Sequence, residues 1–333
     1  MRKKHMLIGL LSLVLMLFIV GTVNAAGSSE SVKAREIAVA VHVEPGDLNY
    51  RIAQRFSDAI EANSGGRLKV TILGLEVGGE RDHLEGASVN EYQIALGGSM
   101  PLSLYAPKFA GSDLPFVYSN TQESRGNYEG ELGALMQEEL IKNGNLRLVG
   151  LSVRNPRQLT SRKPIRVPAD LAGVRMRVPE IAPWIVTWTE MGALPSPIAW
   201  AEVYTSLQTG VIDMQENPVD FIHAGRIYEV QDYINLTNHV HSFFHWLMNE
   251  EFYQSLTEED RKVVLDAVKE ATTWGNDLTQ NSAAEFLQKL QDEGMEVVRP
   301  DFAQFRAAAE PAIRKIAANM HPAAAAYVLS FFD

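Results

Sequence analysis

Across 333 residues the chain carries 30 lysines and arginines against 41 aspartates and glutamates, a formal charge of −11, and no cysteine. So acidic a surface lacks the clustered cations that nucleic acid or an anionic membrane requires, and the missing thiols exclude disulfides, Cys-ligated zinc and thiol catalysis. The length exceeds what one core comfortably fills and predicts two domains.

Residues 1–26 open with Arg2-Lys3-Lys4, continue as an apolar run over 6–20 and end in small residues at Val23-Asn24-Ala25-Ala26, the three parts of a secretory signal peptide. The run is shorter than the roughly 20 residues that span a bilayer. No cysteine follows it to carry a lipid anchor. Cleavage would free a mature chain of charge −14 in the periplasm, because the segment removes three basic residues and no acidic ones. On so negative a molecule, an anion site needs buried arginines and backbone amides that overcome the surrounding field.

Residues 37–43 alternate as an opening strand and turn at Glu44-Pro45-Gly46-Asp47. Ile52, Phe56 and Ile60 mark one face of a helix that Asn63-Ser64-Gly65-Gly66 ends, and Leu68, Val70 and Ile72 alternate as the next strand. The same grammar predicts a helix over 80–87, a strand over 93–96, a helix with Leu132, Leu135, Met136 and Leu140 on one face closed by Gly144, and a strand over 146–153. Residues 154–168 read as loop. A strand over 174–178, a helix over 181–191 closed by Gly192, a helix over 201–209 closed by Gly210 and a strand over 211–215 follow. Thr257 is placed to cap a helix whose apolar positions, Val264, Ala267, Ala271, Trp274 and Leu278, carry it to about residue 291. At ~1.5 Å per residue that helix is some 50 Å long, enough to lie across two lobes. Strands alternating with helices imply an α/β fold with a largely parallel sheet covered on both faces. The short loop-rich stretches at 63–66, 74–79 and 154–168 suit lobes that exchange strands rather than beads on a string.

Arg175 and Arg177 share one face of the strand over 174–178, opposite Met176, and Arg177 stands at its C-terminal end. That end faces the crevice where open α/β sheets bind ligands, and a guanidinium there can hold a carboxylate through two parallel hydrogen bonds. The pattern alone favours an exposed surface arginine. Asn217, in Gln215-Glu216-Asn217-Pro218, has an amide that can donate to the same carboxylate while Pro218 stiffens the turn, or can close an Asx turn instead.

Arg157-Gln158-Leu159-Thr160, then Asp170-Leu171-Ala172-Gly173-Val174-Arg175-Met176-Arg177-Val178-Pro179-Glu180, then 201–218 ending in Gln215-Glu216-Asn217-Pro218, stand in an order that resembles the periplasmic solute receptors of TRAP transporters. The resemblance runs from about Ala34 to the C-terminal helices. It implies a two-lobed periplasmic binding-protein fold, each lobe a mixed sheet flanked by helices, with a long helix bracing both around a cleft. The expected division is 27–154 plus about 243–282 for the first lobe and 155–242 plus about 283–333 for the second. It further implies a carboxylate held by Arg177, Arg157 and Asn217, with membrane permease subunits as partners and no enzymatic activity or cofactor.

Arg154 competes with Arg157 for the second arginine's role. Trp200 occupies the place of an aromatic ring lining the cleft, where a flat apolar face suits a carbon skeleton; taken alone it fits a core position too. His42 aligns with a ligand-touching position of the first strand and is equally a satisfied core histidine. Glu80, in Gly79-Glu80-Arg81, is a candidate for contacts to hydroxyls or a solvated helix start. Gly97-Gly98-Ser99 stands where sialic-acid receptors of the family carry an acidic residue, which argues against sialic acid and makes Gly98 and Ser99 part of the expected site. These features lean toward a uronate or aldonate; C4-dicarboxylates, 2-oxo acids and aromatic acids share the same anchor. His239, His241 and His245 lack a recognised zinc spacing, and Gly-x-Ser-x-Gly, His-Glu-x-x-His and phosphate-loop motifs are missing. The rival reading is a periplasmic sugar-acid lyase or hydrolase using His42 with Glu80 or Glu216.

Overall fold

The computed structural model describes residues Ala34–Asp333, so the signal peptide expected over 1–26 lies outside the described residues. In chain order the strands are β1 (Arg35–Val41), β2 (Leu68–Leu73), β3 (Ile94–Gly97), β4 (Leu146–Val153), β5 (Arg157–Ser161), β6 (Arg175–Val178), β7 (Leu194–Pro197), β8 (Met214–Pro218), β9 (Tyr233–Asn235), β10 (Phe243–Asn249) and β11 (Glu296–Val298). They make two sheets, ordered β2-β1-β3-β10-β4 and β11-β9-β5-β8-β6-β7.

Both sheets are mixed, as the resemblance to two-lobed binding proteins implied, whereas the largely parallel sheet read from strand–helix alternation is corrected. β1 runs parallel to β2 and β3, and β6 parallel to β7 and β8. β10 is antiparallel to β3 and β4, and β5 to β8 and β9. While β11 is reached through the helix Glu258–Asp292, β5 and β10 are the strands that the chain enters from the other sheet without an intervening helix. They arrive without the helical crossover that makes neighbouring strands parallel. The two crossovers lie side by side: Arg154 N donates to Ser242 O (3.1 Å), Arg157 N to Val240 O (3.1 Å) and His239 N to Arg157 O (3.3 Å).

Three local expectations are corrected. The stretch 154–168 contains β5, a strand whose five residues are all buried. It escapes hydropathy because its interior is polar and internally bonded: Thr160 Oγ1 accepts from Gln215 Nε2 at 3.0 Å, and Gln158 Nε2 donates to Asn238 Oδ1 at 2.7 Å. The strand expected over 211–215 is β8, three residues later, because Val211 is 59% exposed in a turn and antiparallel pairing puts Asn217 opposite Gln158. Asn217 is therefore a strand residue, and Pro218 ends that strand ahead of the helix Val219–Ala224. The helix Gly130–Gly144 is closed by Asn145 in the left-handed conformation (φ 51°), while Gly144 is there because a Cβ would fall 2.7 Å from the Tyr105 ring.

Ile52, Phe56 and Ile60 of the helix Leu48–Asn63 pack with Val39, Val41 and Trp246 under the first sheet. Met176, Val178, Trp184, Trp188 and Phe305 form the corresponding core of the second. The helix Glu258–Asp292 joins them. Thr257 caps it by accepting from Asp260 N at 3.1 Å, and three acidic residues fill its first turn. Its 35 residues span about 52 Å. Val264, Val268 and Ala271 belong to the first core, and Leu290 to the cluster around Val203 and Ile234 beside the second sheet. Against the helix Leu48–Asn63 it packs through Gly275, where a Cβ would meet Ile52 at 2.5 Å. The proposed division of lobes is crossed once more at Phe116, from the 27–154 stretch, which sits in the second core against Trp188 and Phe305.

Candidate functional site

A cavity of about 470 Å³ lies between the two sheets. His42, Glu80, Arg81, Ser99 and Arg154 face it from the first lobe; Arg157, Arg177, Trp184, Trp200, Asn217 and Phe221 face it from the second. Of the expected site residues, Arg177, Arg157, Asn217, Trp200, His42, Glu80 and Ser99 are thus brought together. Gly98 stands behind the wall, its N–H donating to Glu80 Oε1 at 2.7 Å.

Arg177 sits near the C-terminal end of β6, where Nε donates to Ile198 O at 2.7 Å. Its terminal nitrogens bond nothing else among the described residues. Burial, only partly offset by Glu216, pulls its pKa down to about 10, so it stays charged at neutral pH. Arg175, on the same strand, is exposed and paired with Asp213 at 2.6 Å.

Arg157, at the start of β5, is ion-paired, and among the described residues only its Nη1, on the cavity side, bonds nothing. Its Nε and Nη2 fork onto the Glu216 carboxylate, with Nη2 at 2.7 Å from Oε1 and also 2.7 Å from the Glu216 carbonyl. The guanidinium lies 5.0 Å from the centre of the Trp184 ring. His239 Nε2 stands 3.1 Å from Glu216, with Thr237 Oγ1 2.8 Å from its Nδ1. Burial alone would raise the Glu216 pKa; Arg157 and His239 outweigh it and hold the carboxyl at about 2. Glu216 is a fixed counter-ion with both oxygens occupied, which removes it as the acid or base of a hydrolytic site.

Arg154 is the opposite case. Only 6% exposed, it has no hydrogen bond to Nε and no ion pair among the described residues, and it is packed over Phe244 (4.3 Å) and Phe221 (5.0 Å). Burial, then the charge of Arg157, pulls its pKa to about 10. Glu80 Oε2 faces His42 Nε2 at 3.7 Å, and His42 Nδ1 lies 3.1 Å from Leu96 O. Burial pulls the His42 pKa below its usual value and favours the neutral ring, and Nδ1 donates to the Leu96 carbonyl.

Trp200 is half-buried, edge-on to Phe221 at 5.9 Å, and with it separates the cavity from a neighbouring crevice of about 700 Å³. Asn217 Nδ2 is oriented by Gln215 Oε1 at 2.8 Å. Arg81, on the helix Glu80–Ser88, meets Glu180, just after β6, at 2.7 Å, an ion pair from lobe to lobe at the cavity's edge. The three histidines are dispersed: His239 serves Glu216, His245 lies on β10 with Nε2 2.7 Å from Tyr128 Oη, and His241 precedes that strand.

Sequence reasoning missed Trp184 and Phe221 and treated Arg154 only as a competitor. The two aromatics sit in helices where no local pattern separates a cavity wall from a core.

Two lobes joined by strand crossovers and one long helix, with a buried cationic cavity between them, define a protein that takes up an anionic small molecule between its lobes. The comparisons agree. The family model for bacterial extracellular solute-binding proteins, family 7, matches residues 39–319, and the chain belongs to that family, the periplasmic receptors of TRAP transporters. It is 33% identical over 295 residues to a solute-binding protein of Roseobacter denitrificans, covering 88% of this chain and 90% of that one. The crystal structure of a TRAP periplasmic solute-binding protein from the same organism, with bound L-galactonate, superposes with a TM-score of 0.84 at 30% identity, covering 91% and 100% of the two chains. The sialic acid-binding periplasmic protein SiaP of Vibrio cholerae is 26% identical over 300 residues, 90% of this chain and 93% of its own. The family is extracytoplasmic, and among the described residues no helix is long and apolar enough to cross a membrane.

Proposed function

We propose that this receptor captures a polyhydroxy monocarboxylic acid, an aldonate or uronate, and delivers it from the periplasm to its membrane permease. One observation carries the reading: Arg177, buried and charged, presents free terminal nitrogens beside Asn217 in a cavity whose other wall offers Glu80, His42 and Ser99. The carboxylate takes the Arg177 fork, with Arg157 and Asn217 alongside, while Trp200 and Trp184 cover the carbon skeleton. Relatives support the polyol: the Roseobacter structure holds L-galactonate, one from Polaromonas at 25% identity holds D-erythronate, and one from Sulfitobacter at 25% holds β-D-galacturonate.

An acid that touches both walls binds the closed form better than the open one, and that difference in affinity drives closure. Members of the family are binding proteins, and the acid is expected to be released unchanged. Titration calorimetry of the chain from about residue 27, against aldonates, uronates, C4-dicarboxylates, 2-oxo acids and aromatic acids, tests the reading. Stoichiometric uptake of an aldonate or uronate, recovered intact, is the expected result. Preference for a dicarboxylate or aromatic acid overturns the substrate class, and turnover of the acid overturns the receptor role.

A further inference from the structure

The buried wall of the cavity holds two guanidiniums, Arg154 and Arg177, that have no counter-ion among the described residues, and they occupy different places. Arg177 stands one residue before the end of β6 in the second lobe, whereas Arg154 follows β4 in the first and lies against Gly98. A Cβ at Gly98 would fall 2.7 Å from Arg154 Nη1 and 3.5 Å from Glu80 Oε1. The two charged groups are therefore within about 6 Å of each other, yet they form no ion pair within 4.0 Å. A hydroxyl that accepts from a guanidinium and donates to a carboxylate, each at about 2.8 Å, fits that separation.

Both groups are held apart in place. Glu80 Oε1 is pinned by Gly98 N, and Arg154 is clamped by the rings of Phe221 and Phe244. A buried guanidinium with an unpartnered Nε is costly unless a ligand completes it.

We propose that Arg154 and Glu80, spaced by the bare Cα of Gly98, form a second recognition site that reads a hydroxyl at the end of the acid away from its carboxylate, in a cavity balanced for one negative charge. This rests on the reading of Arg177 as the carboxylate anchor. The charge balance follows from pairing. Arg157 is neutralised by Glu216 and Arg81 by Glu180, and Asp82, at the mouth, is exposed and accepts from Gly79 N, which leaves Arg154 and Arg177 against Glu80 in the buried wall. Asp113 and Asp220, buried near Arg154, are driven by that burial toward their neutral forms. One carboxylate neutralises the wall; a second would be in excess.

Calorimetry with L-galactonate, hexanoate and the diacid galactarate, on the intact receptor and on Arg154→Met, Gly98→Ala and Glu80→Gln, tests this, with each variant's melting temperature as the folding control. Wild type is expected to prefer galactonate over hexanoate and over galactarate by at least about tenfold. Gly98→Ala should lose about tenfold or more for galactonate and leave hexanoate unchanged, whereas Arg154→Met, which also removes a positive charge from the wall, should weaken both acids and galactonate the more. Gly98 does not have positive φ, so the added methyl fills the gap without backbone strain. Glu80→Gln should narrow or reverse the preference against galactarate, an effect that loss of packing would not produce. If wild type binds galactonate but these variants bind all three acids as wild type does, the second site is refuted and the receptor reading stands. Wild type that takes galactarate as tightly as galactonate refutes the charge balance. Wild type that binds no carboxylic acid refutes the receptor reading itself.

Discussion

Arg154 and Arg157 leave the same crossover, three residues apart, both more than nine-tenths buried, and they do opposite things. Arg157 enters β5 and, though it still lines the cavity, is neutralised by Glu216 and held by the Glu216 carbonyl and the Trp184 face. Arg154 remains on the first lobe, stacked on Phe221 and Phe244 and without an ion pair among the described residues. A buried guanidinium must be balanced somewhere; one of these is balanced by the fold, and the other awaits a ligand. Burial and residue type therefore do not identify a binding arginine. The state of its counter-ion tells which one carries an unbalanced charge into the cavity.

The strongest way to break this contrast is to remove Glu216. Glu216→Ala strands Arg157 as an uncompensated buried charge and should cost about 3–5 kcal/mol of stability in the ligand-free protein, read by chemical denaturation. Acid sharpens the same point. The Glu216 pKa is about 2 in the folded protein against an ordinary 4.5, so its contribution is fully present above pH 4.5 and is lost as pH falls toward 2. Wild type should lose stability across that window more steeply than Glu216→Gln does. Asp113 acts in the opposite sense. Burial pushes its carboxyl up to about 7, with Ser99 and Arg154 offsetting only part, so the folded state holds a proton that the unfolded chain releases near pH 4. That group costs stability as pH rises from about 4 to 7, and Asp113→Asn should flatten the profile there.

Arg177→Ala should leave the melting temperature of the free protein nearly unchanged while removing charge-assisted hydrogen bonds worth about 1.5–3 kcal/mol each from acid binding, measured by calorimetry. Arg154→Met, in contrast to the loss at Glu216, should leave the ligand-free protein as stable or up to about 1 kcal/mol more stable, because it removes a buried charge and keeps the packing volume. The smallest effect is expected at the cavity's edge. Arg81 and Glu180 are both about 40% exposed, so Arg81→Ala should weaken closure by only about 0.2–1 kcal/mol and lose even that at high salt, as seen by scattering of the liganded form.

The amphipathic elements were legible in the chain. The spacing of Ile52, Phe56 and Ile60, the alternation over 68–72 and the Thr257 cap each record burial locally, and the helices and strands appear within a few residues of those patterns. Arg177 was legible through its setting among Leu171, Gly173, Val178 and Pro179. β5 was not, because its buried residues are polar and their partners come from β8, more than fifty residues away. Amino-acid order determined which segments would become helix or strand and which arginines were candidates, since periodicity and local motifs are short-range. Which arginine is neutralised, which is left for a ligand, and where Gly98 leaves a gap were decided only by the tertiary fold, because a buried charge finds its counter-ion through space and not along the chain.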